Sequence, residues 1–297
     1  MIGLTLKHLR YIDALARHGH FGRAAEACAI TQPALSLQIK ELETMLGAPL
    51  VERAARQIRL TSFGQEFVAR ARSILLEVDE LGDLVRAAKG PLVGRLRLGV
   101  IPTVAPYLLP EIARALTAHR AGLDLHPRET VTQSLIDDLL SSRLDAAIVA
   151  LPISEPTLQE VQLFTEDFVL VRPESEANQP VPGPESLQKM RLLLLEEGHC
   201  FRDQALSFCE IKPTEPRYLM EGSSLSTLVQ MVGAGMGVTL IPEMALRLET
   251  RAAQVSIARF APPAPARTIG MVWRKTNPLA DQLAQIGEII RDATHLS

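Results

Sequence analysis

The sequence has few cysteines, few aromatic residues and no long apolar run, and these shortages exclude several classes of protein. Three cysteines in 297 residues cannot build the disulfide framework of a small secreted domain. The most apolar stretch, residues 228–246, is interrupted by Pro242, Glu243 and three glycines, which excludes a transmembrane helix. The first residues lack the basic start and apolar core of a signal peptide. We therefore expect a cytoplasmic protein with no membrane partner.

The composition is that of a globular protein with an uneven charge. Apolar residues make up 47% and charged residues 22%, and the length predicts about two domains. Residues 1–72 hold ten basic and six acidic residues, whereas the remainder is acidic overall. The basic part is a candidate for contact with a polyanion. A difference of this size also arises by ordinary variation.

The first 61 residues predict a winged helix-turn-helix. Leucine and isoleucine recur at helical spacing behind Thr5, and a second, alanine-rich helix follows over residues 21–28. Thr31 can cap a third helix, Pro33 is tolerated in its first turn, and Gly47 can end it. Three arginines in residues 50–61 indicate a wing that contacts phosphates. A three-helix domain with a solvated basic loop, or a protein-binding helix-turn-helix, remains an alternative.

The segment HFGRAAEACAITQPALSLQIKELETMLGAPLVERAARQIRLTSFGQ resembles the DNA-binding region of LysR-type transcriptional regulators. The resemblance implies that the recognition helix starts at Gln32. Many members have an arginine at the position of Leu37, so no base contact is assigned there. The DNA contacts that the resemblance implies are Gln32, Pro33, Ser36, Lys40 and Arg53.

A proline-free segment, residues 63–89, predicts one long helix. Ser62 and Gln65 have capping-box spacing, and Gly90-Pro91 indicates a flexible joint after the helix. Apolar residues form a heptad stripe, which predicts a two-helix contact in a homodimer, as the LysR resemblance also implies. The alternative is packing of the helix on its own domain. The stripe comprises Phe67, Ala71, Ile74, Val78, Leu81, Val85 and Ala88.

Strands and helices alternate after residue 95, which predicts a parallel sheet covered by helices. Thr103 and Thr132 lie at strand-to-helix junctions, where threonine commonly caps a helix. Glycines at 233, 235 and 237 are interpreted as a turn, not a nucleotide site.

The LysR resemblance implies an α/β fold with an all-α N-terminal part. A winged helix-turn-helix (residues 1–61) and a linker helix (62–89) precede a regulatory domain (90–297). That domain resembles periplasmic binding proteins and has two subdomains. Subdomain I is expected near 95–165 and 268–297, and subdomain II near 166–267.

Two cysteines in the segment GHCFRDQALSFCE are the most informative chemical feature. A cysteine at a helix N-terminus near arginine is expected to be partly thiolate, the form that peroxide oxidises to sulfenic acid. If the segment is helical, the Cα atoms of Cys200 and Cys209 lie roughly 13 Å apart along the axis. A disulfide needs about 4.4–6.8 Å, so the helix must open first. Two inert buried thiols are an alternative; zinc is disfavoured by the spacing.

The segments GVIPTVAPYLLP, GHCFRDQALSFC and RTIGMVWR resemble the peroxide-sensing OxyR branch of the LysR family. The resemblance implies that peroxide oxidises Cys200 and that Cys209 resolves the product. Cys28 is assigned to packing, and no metal or other cofactor is expected. The peroxide pocket that the resemblance implies consists of Thr103, Thr132, His199, Arg202, Asp203 and Arg267.

We therefore expect a non-enzymatic, homotetrameric regulator that responds to hydrogen peroxide. Its expected partners are promoter DNA, hydrogen peroxide, further copies of itself and RNA polymerase. The first alternative is a LysR-type regulator that binds an organic metabolite between the subdomains. The second is a thiol peroxidase, which the DNA-binding unit disfavours.

Overall fold

The computed structural model describes residues 3–53, 58–87, 94–120, 122–209 and 220–295. The chain forms two compact units, Met1–Asp83 and Leu84–Ser297. Across the described residues, every helix is too short or too polar to span a bilayer.

The N-terminal unit is a helix-turn-helix followed by a two-stranded wing, as the sequence predicts. Thr5 and Thr31 accept backbone N–H groups at the starts of the first and third helices. Gly19 and Gly47 end these helices with φ of +59° and +68°, which favour glycine. The elements are α1 (Leu6–His18), α2 (Phe21–Ala27), α3 (Gln32–Leu46), β1 (Val51–Arg53) and β2 (Ile58–Leu60), followed by α4 (Ser62–Ala87), which continues past the end of this unit at Asp83.

Helix α4 begins at Ser62, the residue predicted to be its N-cap. The Oγ1 of Thr61, not of Ser62, accepts the N–H of Gly64 at 2.9 Å, so the predicted capping box is wrong. A Cβ on Gly64 would lie 2.0 Å from the carbonyl oxygen of Leu50, so the chain before β1 touches the helix backbone here. Ala88 and the predicted joint at Gly90-Pro91 lie outside the described residues.

The C-terminal unit alternates strands and helices. It also contains two short strands that the sequence pattern did not indicate, β8 and β10. The elements are β3 (Gly94–Val100), α5 (Ala105–His119), β4 (Leu123–Glu129), α6 (Thr132–Leu140), β5 (Ala146–Leu151), β6 (Leu158–Pro173), α7 (Pro184–Leu187), β7 (Leu193–Leu195), α8 (Cys200–Phe208), β8 (Met220–Gly222), α9 (Leu225–Gly233), β9 (Thr239–Pro242), α10 (Leu246–Glu249), β10 (Val255–Arg259), β11 (Ala266–Arg274) and α11 (Ala280–His295).

The main sheet is mixed, so the prediction of a parallel sheet is wrong. Strands β4, β3 and β5 are parallel neighbours, but β11 is antiparallel to both β5 and β6. The first part of β6 pairs with β11, and its last part pairs with β9 and β10 in antiparallel fashion. A local pattern of alternating strands and helices does not reveal such long-range pairings.

Strand β6 passes between two separate hydrophobic cores. Leu158 and Leu163 belong to the first core, which is built around β3, β5, β11, α5 and α11. Phe168 and Val171 belong to the second core, which is built around β7, β9, α8 and α9. The C-terminal unit therefore has two centres of packing joined by a continuous strand.

Candidate functional site

Cys200 is the first residue of α8. Gly198 precedes it with φ of +94°, a left-handed conformation that favours glycine and turns the chain from β7 into the helix. His199 occupies the cap position without a side-chain capping bond. The N–H groups of a first helical turn lack partners within the helix, so the thiol stands at the positive end of the helix dipole.

Four polar side chains line a small cavity beside α8. The space among Cys200, Thr103, Thr132 and His199 is about 160 Å³ including open solvent, and it is too narrow to admit a water-sized molecule in this structure. Apolar atoms complete its wall. Three of the six predicted pocket residues therefore lie around this space with Cys200.

The hydroxyl of Thr132 is buried, and no hydrogen-bond partner is found for it in the part of the chain that the structure describes. A buried hydroxyl normally has a partner, so this group is available to a molecule in the cavity. Neither threonine caps its helix, because Val104 and Val131 occupy the cap positions of α5 and α6.

Arg267 lies behind the cavity wall and is almost fully buried. Its Nη1 donates to the Thr103 hydroxyl at 2.8 Å, and its Nη2 donates to the Thr103 carbonyl at 3.0 Å. Glu166 pairs with the same guanidinium at 2.8 Å. Because the Thr103 hydroxyl already accepts a bond from Arg267, its own hydrogen remains available for another acceptor.

Phe201 and Glu166 are contributors that the sequence analysis missed. The Arg267 guanidinium lies 5.4 Å from the centroid of the Phe201 ring, which is the next residue after Cys200. Glu166 also accepts the N–H of Met244 at 3.1 Å. The local sequence does not single out Glu166, which stands between Thr165 and Asp167, because its partner lies 101 positions away.

Arg202 and Asp203 are not among the residues that line the cavity, contrary to the expectation from the resemblance. Arg202 is buried and donates to the carbonyl of Leu195 at 2.9 Å and to Glu221 at 2.6 Å. Two helical positions correspond to 200°, so Arg202 leaves α8 on another face than Cys200. Asp203 is exposed.

His199 is half-buried. Burial lowers its pKa below the ordinary value, and the charge of Glu196 opposes this shift only in part. The imidazole is therefore neutral at pH 7, with one ring nitrogen as acceptor and the other as donor.

The second cysteine of the pair lies in the other core. Cys209 is fully buried at the C-cap of α8 and belongs to the second core, whereas Cys200 packs against the first. Burial raises the pKa of Cys209 to about 11. Both thiols are free, as is Cys28. Among the described residues, no group of three or more His, Cys, Asp or Glu side chains is placed to hold a metal.

The N-terminal unit presents the predicted recognition helix. Gln32, Pro33 and Lys40 of α3 are exposed and Ser36 is half-buried, while the opposite face of the helix packs in the core. Arg53 is the last residue of β1, and its side chain lies outside the described residues. Glu43 of α3 accepts the N–H groups of residues 50 and 51, which joins the wing to the helix.

The apolar stripe of α4 changes character along the helix. Ala71 is buried in the N-terminal unit, whereas Ile74, Leu81 and Val85 are 45%, 60% and 59% exposed. These fractions are high for large apolar side chains on one helix face, as expected of a surface that meets another molecule.

A winged helix-turn-helix joined to an α/β unit with a cysteine-bearing cavity defines a DNA-binding regulator with a sensing domain. The family model "Bacterial regulatory helix-turn-helix protein, lysR family" matches residues 6–65, and "LysR substrate binding domain" matches residues 89–294. The chain belongs to the LysR family, and within it to the OxyR branch.

The chain is similar to curated and solved members of this branch over nearly its whole length. It is 42% identical to a probable hydrogen peroxide-inducible genes activator of Streptomyces viridosporus, covering 97% of this chain and 94% of the relative. It is 39% identical to the DNA-binding transcriptional dual regulator OxyR of Escherichia coli, covering 97% and 95%. A full-length OxyR variant from Pseudomonas aeruginosa superposes with a TM-score of 0.73 and 36% identity. The match covers 97% of this chain and 95% of that one. A peroxide-bound OxyR variant from Corynebacterium glutamicum superposes with a TM-score of 0.67 and 33% identity. The match covers 98% of this chain and 92% of that one.

Proposed function

We propose that this chain is a transcriptional regulator that senses hydrogen peroxide through Cys200 and Cys209. The observation that carries the proposal is a thiol at a helix N-terminus beside two threonines and a histidine, with a second thiol nine residues away in another core. The names of its relatives, hydrogen peroxide-inducible genes activators, support the same stimulus. The predicted cytoplasmic location is part of the proposal.

The first chemical step is oxidation of Cys200. Its thiolate attacks one peroxide oxygen, the O–O bond breaks, and the sulfur becomes sulfenic acid while hydroxide leaves. The departing oxygen takes up a proton and becomes water. Thr103, Thr132 and His199 line the cavity and provide hydrogen-bond donors for the two oxygens.

The second step is formation of a disulfide. The sulfur of Cys209 attacks the sulfur of Cys200 and displaces its hydroxyl group. That hydroxyl takes up the thiol proton of Cys209 and leaves as water. The two Cα atoms lie roughly 13 Å apart along an intact helix, whereas a disulfide needs about 4.4–6.8 Å. Helix α8 must therefore open, which couples the chemistry to a change of fold.

DNA binding and assembly complete the proposal. Gln32, Pro33, Ser36 and Lys40 of α3, with Arg53 of the wing, contact promoter DNA. The exposed stripe of α4 pairs two copies, and two such dimers form a homotetramer whose recognition helices change spacing when α8 opens. In this proposal, the first core belongs to subdomain I and the second to subdomain II, and the DNA-bound tetramer contacts RNA polymerase.

The test is promoter occupancy in cells before and after peroxide, measured by immunoprecipitation of crosslinked DNA. Cys200→Ser is expected to abolish the peroxide-dependent change in promoter occupancy. Cys209→Ser is expected to prevent the part of that change that requires the disulfide. Cys28→Ser is the matched control and is expected to behave as the parent chain. An unchanged response in Cys200→Ser rejects the proposal.

A second candidate function is response to a small organic metabolite. A cavity of about 790 Å³, lined by residues from both cores, lies among Tyr107, Phe164, Met244 and Arg247. Its volume falls within the range typical of pockets for organic ligands. Calorimetry with candidate metabolites on the reduced chain tests this function independently of peroxide.

A further inference from the structure

The N-terminal end of α8 is held by several buried contacts. The Phe201 ring lies edge-on to Phe168, with centroids 4.8 Å apart, and both residues are almost fully buried. Arg267 stacks on the Phe201 ring. Arg202 forms an ion pair with Glu221 at 2.6 Å. Opening the helix at this end would break an aromatic contact, a cation–π contact and a charged hydrogen bond together.

The C-terminal end of α8 is held by a more accessible contact. Phe208, the last residue of the helix, packs edge-on against Phe260, with ring centroids 5.1 Å apart and planes at 69°. Phe260 directly follows β10, and both rings are half-buried at the margin of the second core. The next residue after Phe208 is Cys209, which has no exposed surface.

We infer that Phe260 is a positioning residue for the disulfide step, holding Cys209 in the second core through Phe208. This inference rests on the proposed function. Cys209 must leave the core to approach Cys200, and its neighbour Phe208 must separate from Phe260 when it does. The contacts at Phe201 and Arg202 retain Cys200 beside its cavity. The helix therefore opens from its C-terminal end, and the Phe208–Phe260 contact sets how often it opens.

The experiment uses the full-length chain without peroxide, with Cys28→Ser and Cys200→Ser, so that Cys209 is the only thiol. A slow alkylating reagent then labels Cys209 at a rate proportional to the opened fraction. Phe260→Leu removes the ring and is expected to raise this rate about tenfold, equal to about 1.4 kcal/mol. Phe260→Tyr keeps the ring and is expected to restore the original rate.

Two further measurements separate a local role from general destabilisation. In a chain whose only thiol is Cys200, Phe260→Leu is expected to leave labelling unchanged, because the other end of α8 stays anchored. Phe208→Leu is expected to accelerate Cys209 labelling. The double variant, with Phe208→Leu and Phe260→Leu together, is expected to accelerate labelling by less than the product of the two single accelerations. Phe208→Leu also probes the contact if Phe260→Leu does not fold.

The inference is overturned if Phe260→Leu leaves Cys209 labelling unchanged, if Cys200 is accelerated equally, or if the two leucine effects multiply. Because no peroxide is used, these results are independent of the sensing chemistry. Trapping of sulfenic acid on Cys200 with a dione reagent, in a chain with Cys209→Ser, tests the proposed function separately. Phe260→Leu is expected to leave that trapping rate unchanged.

Discussion

Thr103 connects the buried cation to the cavity that holds Cys200. Its hydroxyl accepts a hydrogen bond from Arg267 at 2.8 Å, which leaves its own hydrogen for a molecule in the cavity. Arg267 in turn is neutralised by Glu166, so the guanidinium is held in one orientation. The Thr103 hydroxyl thus joins a buried ion pair to the space that Cys200 lines.

Thr103→Val keeps the shape of the side chain and removes the hydroxyl. We expect the oxidation of Cys200 by peroxide to slow by about 100-fold, because a donor to the departing oxygen is lost. Stopped-flow measurement on a chain with Cys209→Ser gives this rate. Thr117→Val is the matched control, since Thr117 lies on the exposed side of α5, the helix that follows Thr103, and its hydroxyl donates to the carbonyl of Ala113. Equal oxidation rates for the two variants would show that the Thr103 hydroxyl does not assist the oxidation of Cys200.

The buried thiol of Cys209 makes stability depend on alkaline pH. Its pKa is about 11 in the folded chain and about 9 when unfolded, so the folded state retains the proton more strongly. The contribution is fully present below pH 9 and is lost as pH rises from 9 to 11.

Under reducing conditions, we expect the parent chain to lose about 2 kcal/mol more than Cys209→Ala over that interval. Urea unfolding at a series of pH values measures the difference. Parallel pH profiles for the two chains would show that the thiol ionises as freely in the folded state as in the unfolded state.

At the scale of single elements, two glycines of α4 serve different purposes. Gly64 lies where the Leu50 carbonyl touches the helix, so an added Cβ would clash with backbone. A Cβ at Gly82 would meet nothing within 4 Å. The same substitution on one helix therefore has opposite expected effects.

Gly64→Ala is expected to destabilise the N-terminal unit by about 1–3 kcal/mol. Gly82→Ala is expected to raise helix stability by up to about 1 kcal/mol, because alanine is the better helix former. Thermal unfolding of the two variants checks both signs. A neutral Gly64→Ala would mean that the backbone at Leu50 does not contact α4 at Gly64.

Caps and periodicity predicted most elements because these signals are local. Thr5, Thr31, Gly19 and Gly47 bound their helices as expected. The antiparallel pairing of β11 and the Glu166–Arg267 pair could not be predicted, because they join residues far apart in sequence. Within the site, the grouping of Thr103, Thr132 and His199 with Cys200 came from resemblance, and no spacing rule indicated it.

At the scale of the whole molecule, the exposed stripe of α4 predicts self-association. Leu81 and Val85 expose more than half of their surface on one face of the helix. A lysine placed there would bury a charge in a two-helix contact, which is costly without a partner.

Leu81→Lys is expected to shift the chain toward monomer and to weaken its binding to two-fold DNA sites. Sedimentation velocity measures the association state. Leu248→Lys is the control, because Leu248 of α10 is 55% exposed and lies outside both the stripe and α3. The stripe is not the dimer contact if Leu81→Lys sediments as the parent chain does.

The central claim is that peroxide joins two sulfurs that the reduced fold keeps in separate cores. Mapping disulfides by mass spectrometry after one equivalent of hydrogen peroxide tests it most directly. The account predicts an intramolecular link between Cys200 and Cys209, with Cys28 free. Free thiols at both positions, or a disulfide that involves Cys28, would contradict it.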